Sequence, residues 1–293
     1  MHRGAHDPAS PPAVFGQVRR VHNDLQKKFE ADLKGRSDRQ SLAKAGRWAS
    51  WAEIIAAAQH VLDTFASLQK AYARSRRGQD VEWTPAVGAI ELRRRLAESA
   101  QESLLCSLYV RLPPGRAKEF SNLVWAKSSA EQPSPSRENL LVVDATTGAA
   151  SLKLGGFKTV KRMGVQCLDL ARADFDAYVA AVLEHRAVLL RGKTHPFVFC
   201  RTTDGSAMTG SGVWSGWVAS VFARALEATH VRPVGEGDGW VAPRVSVNAL
   251  RKSFVTQVHG AVDTTLQQRE SVAAAMRCVA VHLLPSTAPV HCR

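Results

Sequence analysis

Three short segments of the chain carry basic and amide side chains at spacings that suit phosphate chemistry. Arg116 follows Pro-Pro-Gly and is succeeded by Glu119 one helical turn later. Lys158 lies in a Gly-Gly-Phe-Lys-Thr turn, and Asn248 precedes Arg251 by three positions. A guanidinium is planar, stays charged and donates two parallel hydrogen bonds to phosphate oxygens. Side chains of these types are suited to binding a phosphodiester and to stabilising the negative charge of its transition state.

The lysine and the asparagine predict different roles at such a site. A lysine on a hairpin can protonate the oxygen that leaves phosphorus, as a general acid. Lys158 is the main candidate for that role and Lys161 is an alternate. At their spacing, Asn248 and Arg251 share one helix face. An asparagine donates a hydrogen bond to a phosphate oxygen but does not exchange a proton near neutral pH.

Each of these residues also has a plainer structural interpretation. Arg116 and Glu119 could form an exposed i,i+3 ion pair, which contributes roughly 0.2–0.5 kcal/mol. A basic hairpin tip around Lys158 is commonly just solvated. The segment from Asn248 to Arg251 could be an ordinary basic surface helix. Taken alone, the ion-pair interpretation of Arg116 and Glu119 is the preferred one.

Helical periodicity dominates the elements that must position these residues. Ser50 and Glu53 have the form of a capping box, and the helix after them carries an apolar stripe that includes Ile54 and Ile55. Thr84-Pro85 predicts the start of a second helix, which runs to about Val110. Further helices are predicted over 174–190, around Trp214 and Trp217, over 246–259 and over 263–277. The two tryptophans are interpreted as core residues.

Between residues 139 and 170 the hydrophobic period changes from 3.6 to 2. Apolar runs at 140–144, 149–154 and 163–170 predict a small antiparallel meander of three strands. A short strand at 197–200, closed by Asp204-Gly205, is also predicted. The predicted fold class is mostly α with a small antiparallel three-stranded sheet, that is, α+β.

The charge of the chain favours a polyanionic partner. Its net charge is +13, from 39 Lys and Arg against 26 Asp and Glu. Each phosphate that a protein neutralises releases condensed counterions, so nucleic acid is the first expectation and an anionic membrane surface a distant second. No stretch approaches the ~20 apolar residues of a spanning helix, and the N-terminus lacks the apolar core of a secretory signal. Five scattered cysteines predict reduced thiols, and we expect a nuclear or cytoplasmic protein.

In order and spacing, the three segments resemble the arginine, lysine and His-x-x-Arg boxes of the tyrosine recombinases, the phage-integrase superfamily. The resemblance spans about residues 85–277 and is closest in style to eukaryotic mobile-element recombinases of the Crypton kind. It implies that Arg116, Lys158, Asn248 and Arg251 surround one scissile phosphate and that Glu119 orients Arg116. The family has histidine where Asn248 stands, which puts acid–base assistance from that position in doubt.

The family's nucleophile, a tyrosine near the C-terminus, has no counterpart in this sequence. Its tyrosines are Tyr72, Tyr109 and Tyr178, all far upstream and explained by packing on helices. After Arg277 the helical pattern gives way to a tail with two prolines, in which His282 is a possible stand-in for the missing imidazole. We therefore expect a protein that binds DNA without cleaving it alone, either a degenerate element or one whose C-terminus is altered by a shifted frame or splice.

The resemblance also implies an organisation, partners and cofactors. Four regions are predicted: a basic, partly disordered arm at 1–47, a partial core-binding domain at 48–76, a catalytic domain at 84–277 and an aberrant tail at 278–293. Expected partners are double-stranded DNA and further copies in a synaptic tetramer. No metal, cofactor or membrane is expected. The alternatives are a non-catalytic nucleic-acid-binding module and a helical scaffold with incidental charge.

Overall fold

The computed structural model describes residues 48–77, 89–127, 138–156, 164–170, 173–230, 243, 245–260, 265, 267 and 271. Its contacts divide the chain into two compact units, Met1–Trp48 and Ala49–Arg293, and every element below belongs to the second. The helices are α1 (Trp51–Arg76), α2 (Ala89–Val110), α3 (Ala117–Ser121), α4 (Ala173–Leu190), α5 (Ser211–Thr229) and α6 (Val247–Gly260). The strands are β1 (Leu123–Lys127), β2 (Asn139–Val143), β3 (Ala150–Leu154) and β4 (Gln166–Asp169).

Helix α1 begins at the predicted capping box. The Ser50 hydroxyl accepts from the Glu53 amide at 3.2 Å, and the Glu53 carboxylate accepts from the Ser50 amide at 2.7 Å. Both of these amides would otherwise lack partners at the helix start, so the reciprocal pair fixes where the helix begins. The predicted apolar stripe is confirmed at Ile54, which is fully buried, but it is wrong at Ile55, which is 45% exposed. Consecutive residues point about 100° apart around a helix, and Ile55 lies on the side of α1 turned away from the core.

The centre of the second unit is a layer of packed helices. Helix α1 packs on α2 and α5, and α2 packs on α4. Tyr109 and Trp214 are both fully buried in it, and the Trp214 indole N–H donates to the Tyr109 hydroxyl at 2.8 Å. The Phe120 ring meets the Tyr109 ring edge-on at 5.2 Å. The core interpretation of Trp214 is confirmed, and this aromatic group ties α2, α3 and α5 together.

The sheet contains the predicted meander and one further strand. Strand β2 pairs with β3, and β3 with β4, both antiparallel. Strand β1 lies parallel to β2, with Leu123 opposite Asn139, so the sheet is mixed and four-stranded rather than antiparallel and three-stranded. The sequence prediction missed β1 because five apolar-rich residues directly after a helix, without a turn signal, look like more helix. The coarser α+β class is confirmed.

The segment after α4 runs along the outer edge of β1. Instead of the strand predicted at 197–200, it forms isolated bridges between Val124 and Phe197 and between Cys200 and Ala207. Gly205 closes the segment with φ +70°, and a Cβ atom there would lie 2.2 Å from the Leu190 carbonyl oxygen. Only glycine fits such a turn, because a side chain would be strained by both the dihedral angle and the close backbone.

Several sequence predictions fall outside the described residues. These are the arm at 1–47, the helix start at Thr84-Pro85, nearly all of 263–277 and the tail at 278–293. The domain boundary predicted between 76 and 84 stays a prediction; the described part of α1 shares one hydrophobic core with α2, α4 and α5.

Two further findings concern membranes and thiols. Among the described residues, no helix has the length and apolar character needed to cross a membrane. Cys106 and Cys200 are buried free thiols, as predicted. The prediction of reduced thiols is wrong for Cys167, which is disulfide-bonded. Without a Cys-x-x-Cys pair, spacing alone could not reveal such a bond.

Candidate functional site

Arg116 is the N-cap residue of α3, directly before its first residue. Its backbone is extended, with φ −80° and ψ 157°, and its amide donates to a carboxylate oxygen of Glu119 at 2.8 Å. Glu119 is only 1% exposed, so it is a buried group bonded to the main chain of Arg116, not the partner in an exposed ion pair. The Arg116 side chain is half-buried and the Lys118 side chain is exposed. Glu119 thus fixes the turn from which the Arg116 guanidinium extends.

Helix α6 presents the second group of predicted site residues. Val247 and Leu250 are buried beneath it, while Asn248 is exposed and Arg251 is half-buried. The inward direction predicted for Leu250 and the shared face predicted for Asn248 and Arg251 agree with this burial. The 3.6-residue period places apolar and polar positions on opposite sides of the helix.

Two contacts with the start of α1 hold α6 in place. The Phe254 ring meets the Trp51 ring edge-on at 5.1 Å. The buried hydroxyl of Ser253 donates to the Ala49 carbonyl at 3.1 Å. Ser253 was not singled out from the sequence, although a serine inside an apolar helix stripe often bonds main chain. These contacts fix the rotation of α6 and hence the direction of Arg251.

A hydrogen bond from Arg251 links the two groups. A guanidinium N–H of Arg251 donates to the Pro114 carbonyl oxygen at 2.6 Å. Pro114 is buried and stands two residues before Arg116 in the turn that leads into α3. The bond therefore joins the C-terminal arginine segment to the N-terminal one across 137 positions of sequence. Of the predicted residues, Arg116 and Glu119 are bonded to each other at the start of α3, and Arg251 bonds Pro114, two residues before Arg116. Asn248 lies on the same helix as Arg251.

Three predicted site residues lie outside the part of the chain that the structure describes, namely Lys158, Lys161 and His282. All three tyrosines are described. Tyr109 is fully buried, the Tyr72 ring packs edge-on against His185 at 5.6 Å, and the Tyr178 ring packs edge-on against Phe65 at 5.7 Å. These rings stabilise helix contacts, which agrees with the packing interpretation.

Asn139 is a polar residue of the site that the sequence analysis did not single out. It opens β2 and is 2% exposed. Its amide nitrogen donates to the carbonyls of Lys118 and Glu119, and its amide oxygen accepts from the amides of Gly155 and Gly156. The sequence feature that could have indicated its role is an asparagine at the start of an otherwise apolar run, Asn-Leu-Leu-Val-Val.

A separate cleft of about 760 Å³ lies between α1, α2 and α5. It is lined by polar residues including His60, Asp63 and Glu102, and by none of Arg116, Asn248 or Arg251. Burial raises the pKa of the Glu102 carboxyl, and the ion pair with Arg224 opposes that rise. Within the described ranges, no group of three or more His, Cys, Asp or Glu residues is placed to hold a metal ion.

Comparison with known proteins finds no family model, no curated protein and no solved structure that matches the chain. The resemblance to the tyrosine recombinases therefore rests on the residues named in the sequence analysis.

Proposed function

We propose that this chain binds double-stranded DNA through a phosphate cradle in which Arg116, Asn248 and Arg251 contact one phosphodiester. The hydrogen bond between Arg251 and the Pro114 carbonyl carries the proposal, since it holds the two arginine segments side by side. Guanidinium groups that are fixed beforehand bind a phosphate without the cost of ordering them at that moment. The net charge of +13 supports a polyanionic partner.

The site is of the tyrosine-recombinase type, built for breaking and rejoining DNA strands in recombination or integration. In that reaction a tyrosine oxygen attacks phosphorus and the bond from phosphorus to the 5′-oxygen breaks. Lys158 gives its proton to the leaving 5′-oxygen, so the products are a 3′-phosphotyrosyl link and a 5′-hydroxyl. The partners are the DNA duplex and further copies of the chain in a synaptic tetramer.

A non-catalytic nucleic-acid-binding module is the second candidate, and one observation favours it for these 293 residues. The tyrosines present are Tyr72, Tyr109 and Tyr178, and the ring of each packs against another aromatic ring on the helices. A ring held by packing is not free to reach a phosphate beside α3 and α6. On this reading the arginines contact the DNA backbone and no strand is cut.

Duplex binding at several salt concentrations tests the shared part of both candidates. The expected result is binding of a labelled duplex, measured by fluorescence anisotropy, with an affinity that falls linearly in log–log form as salt rises. A matched single strand and a polyglutamate of equal charge serve as controls for shape and for charge alone. Failure to bind duplex at ~150 mM salt, around physiological ionic strength, would support the scaffold alternative instead.

Restoring a nucleophile separates the enzyme from the module. Thr287→Tyr places a tyrosine in the C-terminal region where the family carries one. A covalent protein–DNA adduct on a nicked substrate, lost again when Arg251→Ala is added, supports the recombinase chemistry. If the restored chain forms no adduct, and Arg251→Ala lowers only general affinity, the module is supported.

A further inference from the structure

Asn139 joins the helix that begins at Arg116 to the end of the neighbouring hairpin. Its amide nitrogen lies 2.9 Å from the Glu119 carbonyl oxygen and 3.3 Å from the Lys118 carbonyl oxygen. Its amide oxygen lies 2.8 Å from the Gly156 nitrogen and 3.1 Å from the Gly155 nitrogen. A side-chain amide has two N–H donors and an oxygen that accepts two hydrogen bonds, so these four contacts use all of them.

The position of Asn139 in the sheet explains why it can reach both sides. As the first residue of β2, it is paired with Leu123 of β1 and with Leu154 of β3. Strand β1 begins two residues after α3 ends, and β3 ends directly before Gly155. Asn139 therefore lies between α3 and the end of β3 and bonds both. The orientation of its amide is fixed, because carbonyls face one end and amides the other.

The buried side-chain amide of Asn139 would destabilise the fold if its donors and acceptors lacked hydrogen-bond partners. Asn139 is 2% exposed, and a buried polar group that loses its partners costs more than an ordinary hydrogen bond contributes. An apolar side chain would satisfy the start of β2 equally well as a strand residue. The amide is therefore better explained by what it connects than by strand formation.

We propose that Asn139 is a positioning residue for Arg116. Its bonds to the Lys118 and Glu119 carbonyls hold α3 at a fixed distance from the end of β3, and so hold the Arg116 guanidinium against the phosphate. Glu119 continues the link, since its carboxylate accepts from the Arg116 amide. This inference rests on the proposed function, because Arg116 must contact a phosphate for its position to affect binding.

A double-mutant cycle on duplex affinity tests the proposal. Asn139→Leu removes all four bonds at nearly constant volume and adds no charge that could repel phosphate. We expect Arg116→Ala to weaken duplex binding about tenfold, as for the loss of a charge-assisted contact. We expect Asn139→Leu to weaken it about fivefold, because Arg116 is then less well positioned. In the Arg116→Ala background, we expect Asn139→Leu to weaken binding by less than about twofold, because coupled residues are not additive.

Gln101→Met is the matched control for a purely structural effect. Gln101 is also a buried amide, 1% exposed, that bonds main chain at both ends, through the nitrogen and oxygen of Cys200. It lies on α2 in contact with the segment after α4, and it forms no bond to α3. We expect Gln101→Met to lower the melting midpoint as Asn139→Leu does, but to leave the duplex affinity of the folded protein unchanged.

Each outcome of the cycle decides a different claim. Wild-type protein that does not bind duplex overturns the proposed function and this inference with it. Binding with additive losses, with the same loss for Gln101→Met, or with no loss on Arg116→Ala overturns the inference and leaves the proposed function standing. Should Asn139→Leu not fold, Asn139→Ala takes its place, since it removes the same four bonds and likewise adds no charge. If neither variant folds, the amide serves stability and the inference is overturned.

Discussion

The Arg251 guanidinium donates to the carbonyl oxygen of Pro114 at 2.6 Å, and this bond connects the two arginine segments of the chain. Arg251 lies on a helix fixed by Trp51 and Ala49, while Pro114 belongs to the turn that ends at Arg116. Two separately held elements thus meet at the Pro114 carbonyl.

Gly205 is expected to be essential to the segment that packs on β1. Gly205→Ala would place a Cβ atom 2.2 Å from the Leu190 carbonyl oxygen at a φ of +70°, so backbone would have to move. We expect a loss of about 4 kcal/mol or more in the free energy of unfolding, at the extreme of single substitutions. Urea denaturation measures it.

Gly148→Ala is the matched control, because Gly148 has a φ of +73° and no atom within 4 Å of the added Cβ. The loss in the free energy of unfolding for Gly148→Ala should come from the dihedral angle alone, roughly 1–2 kcal/mol. Equal losses for the two variants would contradict the role of the close contact with Leu190.

Tyr109→Phe should destabilise the core without altering the site directly. The change leaves the buried indole N–H of Trp214 without the hydroxyl that now accepts from it at 2.8 Å. We expect a loss of about 1–3 kcal/mol in the free energy of unfolding, the usual cost of an unsatisfied buried donor. Chemical denaturation monitored by tryptophan fluorescence measures it. No loss of stability would mean that the indole finds another partner.

The Cys200 thiol gives a pH dependence with a definite sign. Burial raises its pKa from 9.0 to about 11, and the charge of Arg186 opposes that rise. In this range the unfolded chain binds fewer protons than the folded chain, so the free energy of unfolding should fall as pH rises from 9.0 to about 11. Below pH 9.0 the contribution is fully present.

Cys200→Ala should flatten this dependence, as measured by urea denaturation at a series of pH values. Part of the fall in the free energy of unfolding with pH should remain, since burial also raises the pKa of the Cys106 thiol. Cys106→Ala should remove a further part of that fall. A wild-type stability that rises over this range would contradict the assignment.

The sequence predicted the elements whose signals are local. The capping box at Ser50 and Glu53 set the start of α1, because both partners lie within one turn of each other. The period-2 pattern predicted β2, β3 and β4. Strand β1 was missed, because its pairing with β2 is parallel and depends on residues 16 positions away, as Leu123 with Asn139.

At the site, residue types could be predicted but contacts could not. The spacing of Asn248 and Arg251 predicted a shared helix face, and the burial of Leu250 agrees with it. Nothing in the sequence indicates that Arg251 bonds the Pro114 carbonyl, since every residue of the chain carries a carbonyl that could accept. The bonds of Asn139 are equally invisible, because they depend on how α3 and β3 pack in three dimensions.

Salt-dependent duplex binding by Arg251→Ala and by Lys252→Ala separates a phosphate cradle at Arg251 from a diffuse attraction of charge. Both variants remove one positive charge from the same helix, but Lys252 is exposed and stands outside the proposed cradle. If Arg251 contacts phosphate, Arg251→Ala weakens binding about tenfold and lowers the salt slope by about one, as for a lost phosphate contact. Lys252→Ala should weaken binding by no more than about threefold, as for an exposed charge. Equal losses for the two variants would contradict a phosphate cradle at Arg251 and leave only a diffuse attraction of charge.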